Sequence, residues 1–417
     1  MESIKRYLLA ALFFSIPLYP KLTTLCIMGY ALFTLVGFKK KNLSRLWDRK
    51  TLLLLAILYV LFIIGLSYTI DVQTGVSKIQ TQASFFVIPF FFIDSFHGKE
   101  DRSYFFQWFN WGLLVTVLIC FLNAFGRVFS NTGLYVVDAF SKKHNIFLYQ
   151  EFSGVLDLHP TYFSLYLGLA IFYLLFAFRV ESKYKPALRW TMIVIFFIAL
   201  FLTSSKAGIF SFMLISFAYQ LYRTIKMKKK SDKLIFPILI LGFVLMFMAN
   251  PLISKRTFQA FKSTQNFIVD EGQSNESTSK RFSLWHVSVK SIEEKMFLGY
   301  GTGSVNKVLN NSCIEFFSFS VCEGIRNNNT HNQYLNLALS NGLPVLILFV
   351  AALLLALFKA VSNRDALYVL FTLFFALNFF FESLLERERG VVFFMVFMVL
   401  LHTTSDIDTD PKKRYEE

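Results

Sequence analysis

Charge is scarce in this chain. Only 17% of its 417 residues are Asp, Glu, Lys or Arg, and 27 of them are acidic. The four cysteines and six histidines form no CxxC pair and no cluster at metal-ligand spacing, so no zinc-type site is legible. No internal repeat is present, which disfavours transporter folds built from repeated halves. The one close run of glycines, Gly299-Tyr300-Gly301-Thr302-Gly303, is not a dinucleotide fingerprint, because no βαβ unit surrounds it. A net charge of +15 would suit nucleic acid. The basic residues, however, sit in short loops between apolar runs and not on one face of a domain, so nucleic acid is excluded as a partner.

What the chain has in excess is apolar length. It is 55% hydrophobic, with 52 phenylalanines. The excess is gathered into runs near 6–19, 22–38, 51–69, 83–96, 104–125, 161–178, 188–203, 207–222, 234–250, 344–358, 365–382 and 390–403. Runs of this kind read as membrane spans. Lys5 and Arg6 followed by Tyr7 to Leu18 look like the start of a signal peptide, but no small-residue cleavage site follows, so this reads as an uncleaved first helix. Loop charges provide an independent check. Lys39 to Lys50, Lys99 and Arg102, Arg179 to Arg189, Arg223 to Lys233, Lys359 and Arg364, and Lys412 to Arg414 all fall on one side. By the positive-inside rule that side is cytoplasmic, as are both termini.

The expected fold class is therefore all-α: a polytopic helical membrane protein with about twelve transmembrane helices and one large extracytoplasmic loop containing short helices. The division is 1–250 (spans one to nine), 251–343 (the loop with the candidate active site) and 344–417 (spans ten to twelve and a cytoplasmic tail). Cys26 and Cys120 lie in apolar runs and read as inert packing residues. Cys313 and Cys322 lie in the loop, where an oxidising compartment permits a disulfide.

Polar motifs concentrate on the outer side. Arg281 opens an expected helix whose Phe282, Trp285, Val289, Ile292 and Met296 recur at helical spacing, an apolar stripe that reads first as packing. The glycines at 301 and 303 would let backbone N–H groups approach a phosphate, but a tight turn is the better default reading. His331 and Asn332 stand at the start of a short helix ended by Gly342 and Pro344. A helix N-terminus disfavours the imidazolium, so His331 is expected neutral and able to accept a proton, or else is a solvated loop histidine. Ser204-Ser205-Lys206 forms an outer turn, where Lys206 either snorkels to water or binds an anion. His159-Pro160 begins span six, and Glu382, Glu386, Arg387, Glu388 and Arg389 crowd the turn before span twelve.

In order and membrane placement these motifs resemble the O-antigen ligase and O-antigen polymerase superfamily of bacterial envelope glycosyltransferases. The resemblance rests on Arg281 to Trp285, Gly299 to Gly303, His331-Asn332 through Gly342, Leu158 to Tyr162 and Glu382 to Arg387. It implies transfer of a glycan from an undecaprenyl diphosphate carrier to an acceptor hydroxyl. The leading acceptor is lipid A-core, with polymerisation or glycan transfer to protein as relatives of that reaction. His331, Arg281 and Lys206 then form the catalytic set. His159, Gly301, Gly303, Asn332, Glu382, Glu386 and Arg387 are expected to bind substrate. The family carries arginine where this chain has Lys206, which keeps the charge and loses the bidentate fork. No cofactor or metal is required, since diphosphate is already a good leaving group. A flippase is the alternative of a different kind, but transporters place ionisable groups in mid-span and these spans are nearly free of charge.

Overall fold

A computed structural model describes residues 2–36, 45–130, 146–177, 186–227 and 277–405. Every regular element among them is helical. The expected ninth span at 234–250 and the loop segment 251–276 lie outside the described residues. In chain order the helices are α1 (Glu2–Ser15), α2 (Pro20–Val36), α3 (Lys50–Leu66), α4 (Val72–Gln82), α5 (Ser84–Phe92), α6 (Gly98–Ser130), α7 (Pro160–Phe172), α8 (Pro186–Leu202) and α9 (Lys206–Met227). The later ones are α10 (Ser277–Glu294), α11 (Val305–Phe316), α12 (Phe319–Ile325), α13 (Gln333–Asn341), α14 (Leu343–Ser362), α15 (Ala366–Asn378) and α16 (Glu388–Thr404).

Among the described residues, three segments are long and apolar enough to cross a bilayer by length and composition: Gly98–Ser130, Pro160–Ala177 and Leu343–Ser362. Four shorter apolar helices accompany them. The chain is thus an integral membrane protein. Several boundaries differ from those expected. Helix α6 overruns the 104–125 run at both ends, because its flanking polar residues continue the helix beyond the apolar stretch. The 83–96 run becomes the nine-residue α5, interrupted by Pro89 and preceded by the amphipathic α4. At 1.5 Å per residue α5 is roughly 14 Å long, short of the roughly 30 Å hydrocarbon core.

Two helices form the centre. In α16 every residue from Gly390 to Thr404 is buried, and α7 is buried along its whole length. A helix apolar on all sides has this fate when other helices surround it. The phenylalanines pack here by shape: Phe106 stacks on Tyr173 at 4.4 Å, and Phe109 meets Phe397 edge to face at 4.9 Å. Such ring pairs contribute about 0.5–1.5 kcal/mol beyond area burial. In a bilayer this matters, because lipid tails are as apolar as the core and packing must drive association. At one end of the bundle a buried ion pair ties three helices. Arg102 of α6 donates to Asp365 at 2.9 and 2.5 Å and to Thr404 Oγ1 of α16 at 2.8 Å.

The opposite end carries a small subdomain made of α10 to α13. It has its own core of Leu284, Val287, Val305, Val308, Leu309, Ile325 and Leu339, and a Cys313–Cys322 disulfide joins α11 to α12. Helix α10 begins at Ser277, so Arg281 lies in its second turn and does not open it. Its buried face is also not the expected stripe. Ser279, Ser283, Leu284, Val287, Ser288, Ser291 and Ile292 are buried, whereas Val289 and Met296 are exposed. Serines on the packed face allow close approach to α11 and α13, so size decides the facing side more than hydropathy does.

Candidate functional site

The turn between α15 and α16 is the scaffold of the site. Gln333, the first residue of α13, grips this turn at both ends. Its N–H donates to Phe379 O at 2.7 Å, and its Oε1 accepts from Leu385 N at 2.8 Å. Thr330 Oγ1 lies 3.2 Å from Ser383 Oγ, and Trp285 Nε1 of α10 donates to Thr330 O at 2.9 Å. These bonds bring three distant segments to one point. Arg281, one helical turn before Trp285, faces the same place.

Glu382 occupies that point. Its Oε1 lies 2.8 Å from His331 Nδ1, and its Oε2 is 3.4 Å from Arg281 Nη2. Its side chain is only 14% exposed. Burial alone would raise the Glu382 carboxyl. The hydrogen bond from His331 and the charges of His331, Arg281 and His159 outweigh burial and hold it below the usual carboxylate range. An ionised Glu382 takes the Nδ1–H of His331, leaving Nε2 as the lone-pair nitrogen. Base, orienting carboxylate and neighbouring cation are the parts of a general-base site for hydroxyl attack.

His331 does not sit in the first turn of α13, as expected from the sequence. It precedes the N-cap, Asn332, and has φ +46 with its N–H held by Asn329 Oδ1 at 2.9 Å. Glu382, not the helix terminus, is what its ring meets. Asn332 is occupied as a cap, its Oδ1 accepting from Tyr334 N and Leu335 N at 3.0 and 3.1 Å.

The glycine turn is likewise structural. The N–H of Gly301 donates to Ser340 O at 2.7 Å, and that of Gly303 to Thr69 Oγ1 at 2.9 Å, so neither is open to a phosphate. At Gly301, φ is +96 and a Cβ would stand 2.4 Å from Thr69 Cα. Between them Thr302 donates to Phe62 O at 2.6 Å. The turn locks the subdomain onto the end of α3, and glycine is needed for that close approach.

The four other expected site residues lie at the start of α7, in the turn before α16 and at the start of α9. His159 is the N-cap of α7, and Glu382, Arg387, His331 and Arg281 all act on it electrostatically. Glu386 is already partnered. Lys78 Nζ of α4 lies 2.6 Å from its Oε2, and Asn336 Nδ2 donates to its Oε1 at 2.6 Å. Arg387 is exposed, and its side chain makes no ion pair or hydrogen bond among the described residues. Lys206 is the first residue of α9, half-buried, after the turn Thr203 to Ser205. A Cβ on Gly208 would stand 1.9 Å from Ser164 Oγ, so this first turn of α9 packs on the start of α7.

Sequence reasoning missed Lys78 and did not pair Glu382 with His331. Lys78 could have been found as the one cation in the otherwise uncharged stretch 72–82, whose helical period turns it toward Gly75 and Gln82.

Parts of the chain are similar to known proteins. A family model described as O-antigen ligase matches residues 191–350. That span holds Lys206, Arg281 and His331, but not His159 or Glu382. A curated relative, the ComP-specific O-oligosaccharyltransferase of Acinetobacter baylyi (strain ATCC 33305 / BD413 / ADP1), is 27% identical over 127 residues. The match covers 28% of this chain and 21% of the relative, so it spans about a fifth of that protein's length.

Proposed function

We propose, from the O-antigen ligase domain carried by residues 191–350, that this membrane protein is an inverting glycosyltransferase using a lipid-linked glycan donor. The observation that carries the reading is the Arg281–Glu382–His331 constellation at the end of the bundle that bears the loop subdomain. His331 Nε2 takes the proton of the acceptor hydroxyl as its oxygen attacks the anomeric carbon. The bond from that carbon to the diphosphate oxygen breaks, and undecaprenyl diphosphate leaves. Glu382 stabilises the imidazolium that forms. Arg281, Arg387 and Lys206 supply positive charge for the diphosphate, which is anionic in both ground and transition states.

Placing this site on the periplasmic face of the inner membrane, with both termini cytoplasmic, follows from the loop charges. The acceptor in this reading is lipid A-core. The name of the curated relative favours one second reading, transfer to a protein hydroxyl.

The test is gene deletion followed by envelope glycan gels and glycoprotein staining. Loss of all long-chain lipopolysaccharide, with accumulation of lipid-linked polymer, is the result expected for the ligase. Loss of a glycoprotein band alone selects the protein acceptor. An unchanged glycan profile, together with no transfer by the purified protein from a polyprenyl-diphosphate glycan, overturns both.

A further inference from the structure

His159, like His331, has one ring nitrogen with a fixed role. Pro160 occupies the first position of α7 and has no N–H, so the first orphan backbone donor belongs to Thr161. That N–H donates to His159 Nδ1 at 3.3 Å. A ring nitrogen that accepts a hydrogen bond carries no proton, and the neutral imidazole therefore bears its hydrogen on Nε2.

Burial, helped by the positive neighbours Arg387, His331 and Arg281 and opposed by Glu382, holds the imidazole below the usual histidine range. The ring sits between the edges of Tyr149 and Tyr162, with centroids 6.4 and 6.3 Å away. The His159 ring makes no other hydrogen bond among the described residues, so its Nε2–H has no acceptor there. The charges acting on it include the Arg387 and Arg281 guanidinium groups and the Glu382 carboxylate, which is already held by His331 and Arg281.

We infer that His159 binds a phosphate oxygen of the lipid-linked donor through Nε2–H, as a neutral donor whose tautomer is set by capping α7. The inference rests on the glycan-transfer reading and assigns one contact within it. Together with the unpaired Arg387 it gives the diphosphate a donor and a charge on the α7 side, while Arg281 approaches from the subdomain. His159 is on this account a binding residue, and the proton of the acceptor goes to His331.

Two substitutions separate this role from capping. His159→Asn keeps a side-chain acceptor for the Thr161 N–H but has no donor at the ε position. His159→Gln restores an N–H at that distance. Donor KM, acceptor KM, kcat and thermal midpoint are measured on purified full-length protein, with direct binding of a polyprenyl-diphosphate glycan.

His159→Asn is expected to keep its thermal midpoint and raise donor KM and Kd about tenfold, the loss of one good hydrogen bond. Its acceptor KM should not move, and His159→Gln should recover most of the donor affinity. Wild-type donor affinity in His159→Asn overturns the inference. So does an equal loss in both variants accompanied by a lower thermal midpoint, which makes His159 structural. If the wild type itself neither binds the donor nor transfers glycan, the functional reading fails, and this assignment with it.

Discussion

Replacing Glu382 by glutamine tests the base assignment with almost no change in shape. The side chain serves two partners at once, His331 Nδ1 at 2.8 Å and Arg281 Nη2 at 3.4 Å. A carboxylate accepts from both. An amide has one oxygen and one NH2, and the guanidinium offers only donors. The amide oxygen must therefore turn to Arg281, presenting its N–H to His331. Nδ1 then has to accept, which moves the ring proton to Nε2 and removes the base. The same substitution also deletes the charge that stabilises the imidazolium. Positioned proton transfer contributes about 10²–10⁴-fold, or about 3–5 kcal/mol of barrier. Glu382→Gln should lose that much in kcat. Its donor KM should stay level or fall, since Arg281 is freed from a negative neighbour. The assay is single-turnover transfer from a polyprenyl-diphosphate glycan, with donor binding measured in parallel. A kcat within threefold of wild type would show that Glu382 does not orient a catalytic base.

Arg102→Ala leaves Asp365 buried without its partner and should cost about 3–5 kcal/mol, read as a lower thermal midpoint, with unchanged specific activity in the protein that survives purification. Replacing Cys313 and Cys322 by serine removes a cross-link of sequence separation 9, worth about 2–3 kcal/mol to the subdomain, and faster proteolysis between α11 and His331 is the measurement. Stability should also depend on pH with a definite sign. Glu382 and His159 are both depressed in the folded state, so each contributes fully above its unfolded pKa, about 4.3 and about 6.5, and loses that contribution as pH falls toward its folded value. A thermal midpoint that falls from pH 7 to pH 4 is expected, with the upper part of the slope absent in His159→Asn and the lower part absent in Glu382→Gln.

The polar end of the site was legible because charge is rare in this chain. Arg281 and His331 stand out against uncharged spans, and loop charges put both on the same side as His159 and the 382–389 turn. Their partners were not legible. His331 and Glu382 are 51 residues apart with three helices between them, and Lys78 and Glu386 are 308 apart. No local period reports such pairings. The glycine turn misled for a related reason. Glycine permits either phosphate approach or backbone approach, and only the location of Thr69 and Ser340 decides which occurs. In α10, the apolar period pointed to Phe282, Trp285 and Val289. The packed face instead uses serines, whose small size is invisible to a hydropathy argument.

The distances around Glu382 divide its two tasks. The short bond to His331 fixes a ring, for which one well-directed acceptor is enough. The longer contact to Arg281 holds a guanidinium that is still 29% exposed and has four other N–H donors. Arg281 is thereby positioned without being used up. It can keep its link to Glu382 while its outward donors meet an anion arriving between α10 and α7. A lysine there would have a single point of charge to share between carboxylate and phosphate, and could not span both. The same logic explains why the second carboxylate, Glu386, is turned away and closed off by Lys78 and Asn336. In the proposed reaction, a free negative charge on the residue next to Arg387 would repel the donor's diphosphate. The turn from Glu382 to Arg387 thus presents one carboxylate to the base, conceals the other, and leaves its arginine facing outward.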